Sequence, residues 1–274
     1  MVMRAAYASG HTHTPQSLER TLMPRHVNSA SRLFAISEKV AATRDDAKTL
    51  DMWIKIFGLV GEQASAIEVC RRLIWINEEI DLMLVQMGAT HFSEHLYLKP
   101  AQGMRSAVAP TAMHGNAQAI KGSMSEPVRT GMEFCADALP DEEAPVDPES
   151  INELKSLITE LRDMVAEAGL PDYLRHLVQR HIDLLQRALD ALPIKGLKAL
   201  TEATLAASGQ LVCLTADVRE DESRGDVDAR KAVAGALRRT WTRVGKTVDA
   251  AVKVQKGLGL GYAAYKVLEH VLSK

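Results

Sequence analysis

Apolar residues recur at three- and four-residue steps along most of the chain, which is the spacing of amphipathic α-helices. The longest such pattern begins at Ala66 and stops at Gly88. Its apolar positions are Ala66, Ile67, Val69, Cys70, Leu73, Ile74, Ile76, Ile80, Met83, Leu84 and Met87. No segment alternates between apolar and polar residues as a half-buried strand does. The pattern therefore predicts an all-α protein, a multi-helix bundle or a set of elongated helical hairpins.

Three further helical patterns fill residues 151–214. Ser150 and Glu153 have the spacing of a capping box, in which each side chain accepts a backbone N–H of the other residue. Glycine and proline at positions 169–171 and 193–196 separate the three patterns. Because short connections join antiparallel neighbours, the spacing predicts a helical hairpin with one added helix. The leucines predicted to form its core are Leu157, Leu161, Leu177 and Leu185.

A long basic helix is predicted from about Val227. Between Arg230 and Lys256 there are eight Lys or Arg residues against one acid, Asp249. The apolar stripe of this helix consists of Val233, Leu237, Trp241, Val244, Val248 and Val252. Folding of a bundle does not require such a charge excess, so we interpret this helix as the contact surface of the protein, with packing on its own bundle and solvated charges as the alternative. The candidate contact residues are Arg238, Arg239, Trp241, Arg243, Lys246, Lys253 and Lys256.

The segment between the two helical halves is acidic. From Glu133 to Glu153 there are eight carboxylates and no Lys or Arg. Blocks of like charge repel and stay extended, so we interpret this stretch as a solvated linker, with a docking patch for a basic surface as the alternative. The pairs Glu78-Glu79 and Glu142-Glu143 are interpreted as solvated in the same way. The predicted organisation is a flexible tail (1–17), an N-terminal helical region (18–139), an acidic Pro-rich linker (140–150) and a C-terminal helical region (151–274) with the basic helix at 227–272.

Composition agrees with helix packing and limits the choice of partners. Of the 274 residues, 46% are hydrophobic but only 4% are aromatic, so the core must consist mainly of aliphatic side chains. A net charge of −2 gives no reason to expect a nucleic-acid partner. Three scattered cysteines form no CxxC pair, and residues 1–14 lack the apolar stretch of a signal peptide. We therefore expect a cytoplasmic protein, with a peripheral position at the inner membrane face as the alternative.

Three segments resemble a loose group of uncharacterised bacterial helical proteins. They are residues 49–58 (TLDMWIKIFG), residues 169–174 (GLPDYL) with the helix that follows to Ala191, and residues 194–200 (IKGLKAL). Together they cover less than half of the chain, and each has the pattern of a helix boundary. The resemblance implies an all-α fold and a bacterial origin. The group has no assigned activity, so the resemblance implies no catalytic residues.

The single match to a catalytic pattern is the segment HFSEH, in which His91, Glu94 and His95 have the spacing H-x-x-E-H. In zinc hydrolases two histidines of this kind hold Zn²⁺ on one helical face, and the glutamate acts as base for the bound water. Glu167 is a candidate third ligand. Pro100 follows closely, however, and leaves little helix to support such a site. We therefore predict two surface histidines and no cofactor.

Three functional hypotheses remain open from the sequence. The preferred one is a non-enzymatic helical interaction protein that binds itself or another helical protein, through bundle or coiled-coil packing, by its basic C-terminal helix. The second is a membrane-active effector, for example in antiviral defence, that exposes the C-terminal segment to an anionic membrane surface. The third is a zinc hydrolase that uses His91, Glu94 and His95.

Overall fold

A computed structural model describes residues 26–167, 170–217 and 227–252. These residues form ten α-helices and no strand, which confirms the all-α prediction. The predicted tail (1–17) and the candidate contact residues Lys253 and Lys256 lie outside the described residues. The helices are α1 (Ser29–Ala41), α2 (Thr49–Ile56), α3 (Ala66–Gly88), α4 (His95–Ala107), α5 (Ala117–Ser123), α6 (Glu126–Ala138), α7 (Pro148–Glu167), α8 (Asp172–Lys195), α9 (Lys198–Asp217) and α10 (Val227–Val252).

Helices α1 to α6 enclose the first hydrophobic core, and α3 is its longest element. The Ser65 side chain accepts the backbone N–H of Glu68 and begins α3 at the predicted residue. The predicted apolar face is too wide, because Ile67 and Ile74 are 74% and 59% exposed. These two residues are seven positions apart, on a side of α3 that faces away from the core. The residues of the predicted face that are buried are Val69, Leu73, Ile76, Ile80, Met83 and Met87.

Helices α7 to α10 form a four-helix bundle around the second core. Each helix packs against the next along the chain, and α10 closes the bundle by packing against α7. Ion pairs join Arg239 to Glu160 and Arg243 to Glu153, so α10 runs antiparallel to α7. The bundle therefore contains the predicted hairpin and added helix, with α10 as the fourth member.

The first turn of α7 differs from the prediction. The carboxylate of Asp147 accepts the backbone N–H groups of Glu149 and Ser150, so Asp147 and not Ser150 caps the helix. Pro148 suits the first helical position, because its fixed φ matches the helix and no N–H is needed there. The predicted capping box of Ser150 and Glu153 is therefore wrong, and α7 begins at Pro148, three residues earlier than predicted.

The four predicted core leucines divide into two classes. Leu161 and Leu185 are fully buried, whereas Leu157 and Leu177 are only partly buried. We expect Leu161→Ala and Leu185→Ala each to lower the free energy of unfolding by about 2–5 kcal/mol, through lost burial and the cavity that remains. Leu157→Ala and Leu177→Ala should lower the free energy of unfolding by about 1 kcal/mol or less, because these two side chains bury less apolar area when the protein folds. Urea unfolding of the four variants checks this order; equal losses at all four positions would contradict the burial pattern.

Candidate functional site

Helix α10 is docked in the bundle by its predicted apolar stripe. Val233, Leu237, Trp241, Val244 and Val248 are all buried and belong to the second core. They follow one another at three- and four-residue steps, as an amphipathic helix requires. The apolar face of α10 is therefore occupied by its own bundle, and its polar face is directed outward.

The cations of α10 fall into two groups. Arg239 Nη2 lies 2.7 Å from Glu160 Oε1, and Arg243 Nη2 lies 2.6 Å from Glu153 Oε2, so these two arginines are paired with α7. Arg238 and Lys246 are exposed, and neither forms an ion pair within the part of the chain that the structure describes. The bundle thus uses two of the predicted contact cations, Arg239 and Arg243, and leaves two, Arg238 and Lys246, to solvent.

Trp241 is fully buried, in contrast to the interfacial ring that the membrane hypothesis requires. Its indole Nε1–H donates to Nδ1 of His181 over 3.2 Å, and the two rings meet edge to face with centroids 5.7 Å apart. The tryptophan lies in the apolar stripe of α10, and α8 supplies an acceptor for its one polar atom. Contact of Trp241 with a membrane or a partner therefore requires α10 to leave the bundle.

His181 of α8 is a buried core residue. It lies between Val178 and Leu185 on the buried face of the helix. Because Nδ1 accepts from Trp241, the neutral ring carries its proton on Nε2, which has no hydrogen-bond partner. Burial, assisted by the nearby charge of Arg180, lowers the pKa of His181 to about 4. The fold therefore holds this imidazole neutral.

Acid should weaken the bundle through His181. A folded-state pKa of about 4 lies below the unfolded value of about 6.5, so the unfolded chain binds more protons between these two values. The contribution of His181 to the free energy of unfolding is complete above pH 6.5. It is lost as the pH falls towards 4, by about 1.4 kcal/mol per pH unit. Unfolding free energies measured between pH 7 and 4 should show less acid destabilisation in His181→Gln than in the wild type. Parallel curves for the two proteins would contradict the burial of a neutral histidine.

A second buried polar cluster lies where the two helical groups meet, with Arg32 of α1 at its centre. The Nη2 atom of Arg32 lies 2.7 Å from Glu79 Oε2 of α3 and 2.5 Å from Glu142 Oε2. Its Nε–H donates to the carbonyl of Ile194, near the end of α8, over 3.0 Å. One guanidinium thus joins α1, α3, the acidic segment and α8.

Glu143 supports the turn between α8 and α9. Its Oε2 accepts the backbone N–H of Leu197 over 2.8 Å, and its Oε1 lies 3.8 Å from Arg32 Nη1. Gly196 has a φ of +62°, and a Cβ at this position would overlap the Glu143 carboxylate and the Arg32 guanidinium. Glycine is therefore required here for its backbone conformation and for the close approach of the two charged groups.

The pKa values of the three carboxylates around Arg32 are not all shifted in the same direction. Burial raises the pKa of Glu143 to about 7 and raises the pKa of Glu79, with Arg32 opposing both shifts. For Glu142 burial acts in the same direction, but Arg32 and the hydrogen bonds from Gln86 and Ser29 outweigh it and lower the pKa. The interpretation of Glu79, Glu142 and Glu143 as solvated is therefore wrong. Sequence spacing gave no sign of this cluster, because its members lie far apart in the chain.

The H-x-x-E-H residues do not share one helical face. Helix α4 begins at His95, with Glu94 as its N-terminal flanking residue, and His91 lies in the preceding bend. All three side chains are exposed. No group of three His, Cys, Asp or Glu residues in the described ranges is arranged to hold a metal ion. The geometry therefore gives no support to the zinc hydrolase hypothesis.

Comparisons with protein-family models, with curated proteins and with solved structures found no match to this chain.

Among the described residues, none of the helices has the length and apolar character needed to cross a membrane.

Proposed function

We propose that this chain is a non-enzymatic helical interaction protein whose basic helix α10 is its contact surface. The proposal rests on one observation: some cations on α10 form ion pairs within the bundle and others do not. Arg239 and Arg243 are paired with α7, whereas Lys231, Arg238 and Lys246 are exposed without an ion pair in the described part of the chain. Stability of the bundle does not explain the unpaired cations, because exposed charges contribute little to folding.

A second copy of the chain offers a matching acidic surface. Helix α6 exposes Glu126, Glu133 and Asp137, which are spaced by seven and four residues and so lie along one side of the helix. Complementary charge of this kind speeds encounter and orients the two partners more than it adds to affinity. We therefore propose that α10 of one copy faces α6 of another, in a weak association that depends on salt.

The test is reversal of the unpaired cations. In Arg238→Glu/Lys246→Glu both changed residues are exposed, so the bundle should keep its stability. The matched control is Lys99→Glu/Lys155→Glu, which changes the net charge equally at exposed positions outside α10. Sedimentation velocity at about 50 mM salt, where screening is weak, should show association of the wild type and the control but not of the α10 variant. A wild type that remains monomeric at low salt, or equal association of all three proteins, would contradict the proposal.

A second candidate function is binding to an anionic membrane. It is favoured by the same exposed cations, each of which contributes on the order of 1 kcal/mol near an anionic bilayer. Flotation with vesicles that contain phosphatidylserine measures this binding directly, with phosphatidylcholine vesicles as the control. Binding to the anionic vesicles alone, lost in Arg238→Glu/Lys246→Glu, would establish this second function. Absence of wild-type binding would reject it.

A further inference from the structure

A cleft of about 350 Å³ lies between α3, α8 and α9, apart from the outward face of α10. Trp75 and Arg71 of α3 form one side of it, and Arg187 lies on the α8 side. The facing surfaces of α8 and α9 are lined by alanines, among them Ala191, Ala203 and Ala206. Because these methyl groups are short, the described side chains that line the cleft leave the space between the three helices open.

Trp75 gives the cleft an aromatic wall in a fixed position. It is half-buried and packs against both hydrophobic cores of the protein. The guanidinium of Arg72 lies 5.6 Å from the centre of its ring and further restricts it. A restrained indole next to flat, alanine-lined helices is suited to a planar ring, since aromatic rings stack in offset or edge-to-face contact.

The charged groups of the cleft are not equally available. Arg71 is paired with Glu68, and the buried ammonium of Lys195 lies 2.9 Å from Glu78 Oε2 and 2.7 Å from Glu202 Oε2. Arg187, in contrast, is exposed and has no ion pair or hydrogen bond in the described part of the chain. One guanidinium, with its planar set of donors, is therefore free to meet an oxyanion.

We infer that this cleft binds a planar aromatic compound that carries a single negative charge. The ring lies between Trp75 and the alanine surface, and the anionic group is held by Arg187. A volume of about 350 Å³ suits a ligand of two or three rings, since small-molecule sites begin at about 300 Å³. This site goes beyond the proposed contact function, because it involves a different side of the bundle and a different class of ligand.

The test uses two fluorescent probes that differ in one group. The first is 8-anilinonaphthalene-1-sulfonate, and the second is N-phenyl-1-naphthylamine, which has the same rings without the sulfonate. Titration of the full chain should show one saturable site for the sulfonate and weaker binding of the neutral probe. Equal affinity for the two probes would overturn the inference, because exposed apolar surface alone would then explain the binding.

Two variants locate the probe. Arg187→Gln should weaken sulfonate binding about tenfold, as expected for loss of one charge-assisted hydrogen bond, and should leave binding of the neutral probe unchanged. Ala206→Phe should fill the cleft and weaken binding of both probes. Matched controls at exposed positions outside the cleft are Arg162→Gln and Ala35→Phe, which should bind as the wild type does. If Arg187→Gln binds the sulfonate within twofold of the wild type, the inference fails.

Discussion

Arg32→Met should lower the free energy of unfolding by about 3–5 kcal/mol, the loss typical of a buried ion pair that has lost one partner. The replacement leaves Glu79 and Glu142 buried without their counter-charge and removes the bond to the Ile194 carbonyl. Methionine matches much of the arginine volume, so the loss reports on charge rather than on packing. Urea unfolding at pH 7 measures it.

Two further variants serve as controls for Arg32→Met. Arg32→Lys keeps the positive charge but cannot reproduce three separate donor contacts, so its loss should be intermediate. Arg44→Met removes a surface arginine whose ion pair with Asp46 is open to solvent, and should change stability by about 0.5 kcal/mol or less. Equal stability of Arg32→Met and Arg44→Met would show that the junction does not depend on this cluster.

Trp241→Ala should also lower the free energy of unfolding by about 3–5 kcal/mol, because a large and fully buried ring is removed from the bundle. Trp241→Phe keeps most of the ring but leaves His181 Nδ1 without its donor, which should cost about 1–3 kcal/mol. Tyr173→Ala, at a residue that is 42% exposed, is the aromatic control and should have a smaller effect than either. Thermal melts give the order of stability of the three variants. If Trp241→Ala loses less stability than Tyr173→Ala, Trp241 lies at the surface and the assignment is wrong.

The Trp241 result also determines how membrane binding is to be tested. If Trp241→Ala weakens binding to vesicles, loss of the folded bundle explains the effect as well as loss of an interfacial ring does. Arg238 and Lys246 avoid this ambiguity, since both are exposed and neither supports the core. Variants of these two cations therefore separate surface contact from stability.

Local sequence features predicted the helices well. Helix α3 has the predicted bounds, because Ser65 supplies a cap and Gly88 closes an uninterrupted apolar pattern. The apolar stripe of α10 has the predicted helical period, and Val233, Leu237, Trp241, Val244 and Val248 are buried; the spacing did not predict that the bundle itself covers this stripe. Between α8 and α9, the separating residue is Gly196 and not Pro193: α8 continues through Pro193 to Lys195, and the positive φ of Gly196 stops the helix.

The polar clusters could not be predicted from spacing. Glu142 and Arg32 are 110 positions apart, and Trp241 and His181 are 60 positions apart. Helical periodicity shows which face of a helix is apolar. It does not show which polar residues from distant parts of the chain will contact each other. An acidic, proline-containing segment has the composition of a solvated linker even when two of its carboxylates are paired at a helix junction. The candidate contact residues were found by their charge excess, whereas their division into paired and unpaired cations required the packing of α10 on α7.

Mixing of two charge-reversed proteins tests the proposed contact between α10 and α6 most directly. One protein carries Arg238→Glu/Lys246→Glu on α10, and the other carries Glu126→Lys/Glu133→Lys on α6. Each should remain monomeric alone at low salt, because its reversed helix repels the unchanged helix of a second copy. A one-to-one mixture should associate, since acidic α10 of the first then faces basic α6 of the second, and sedimentation velocity should show the complex. A mixture that stays monomeric under conditions in which the wild type associates would contradict the account.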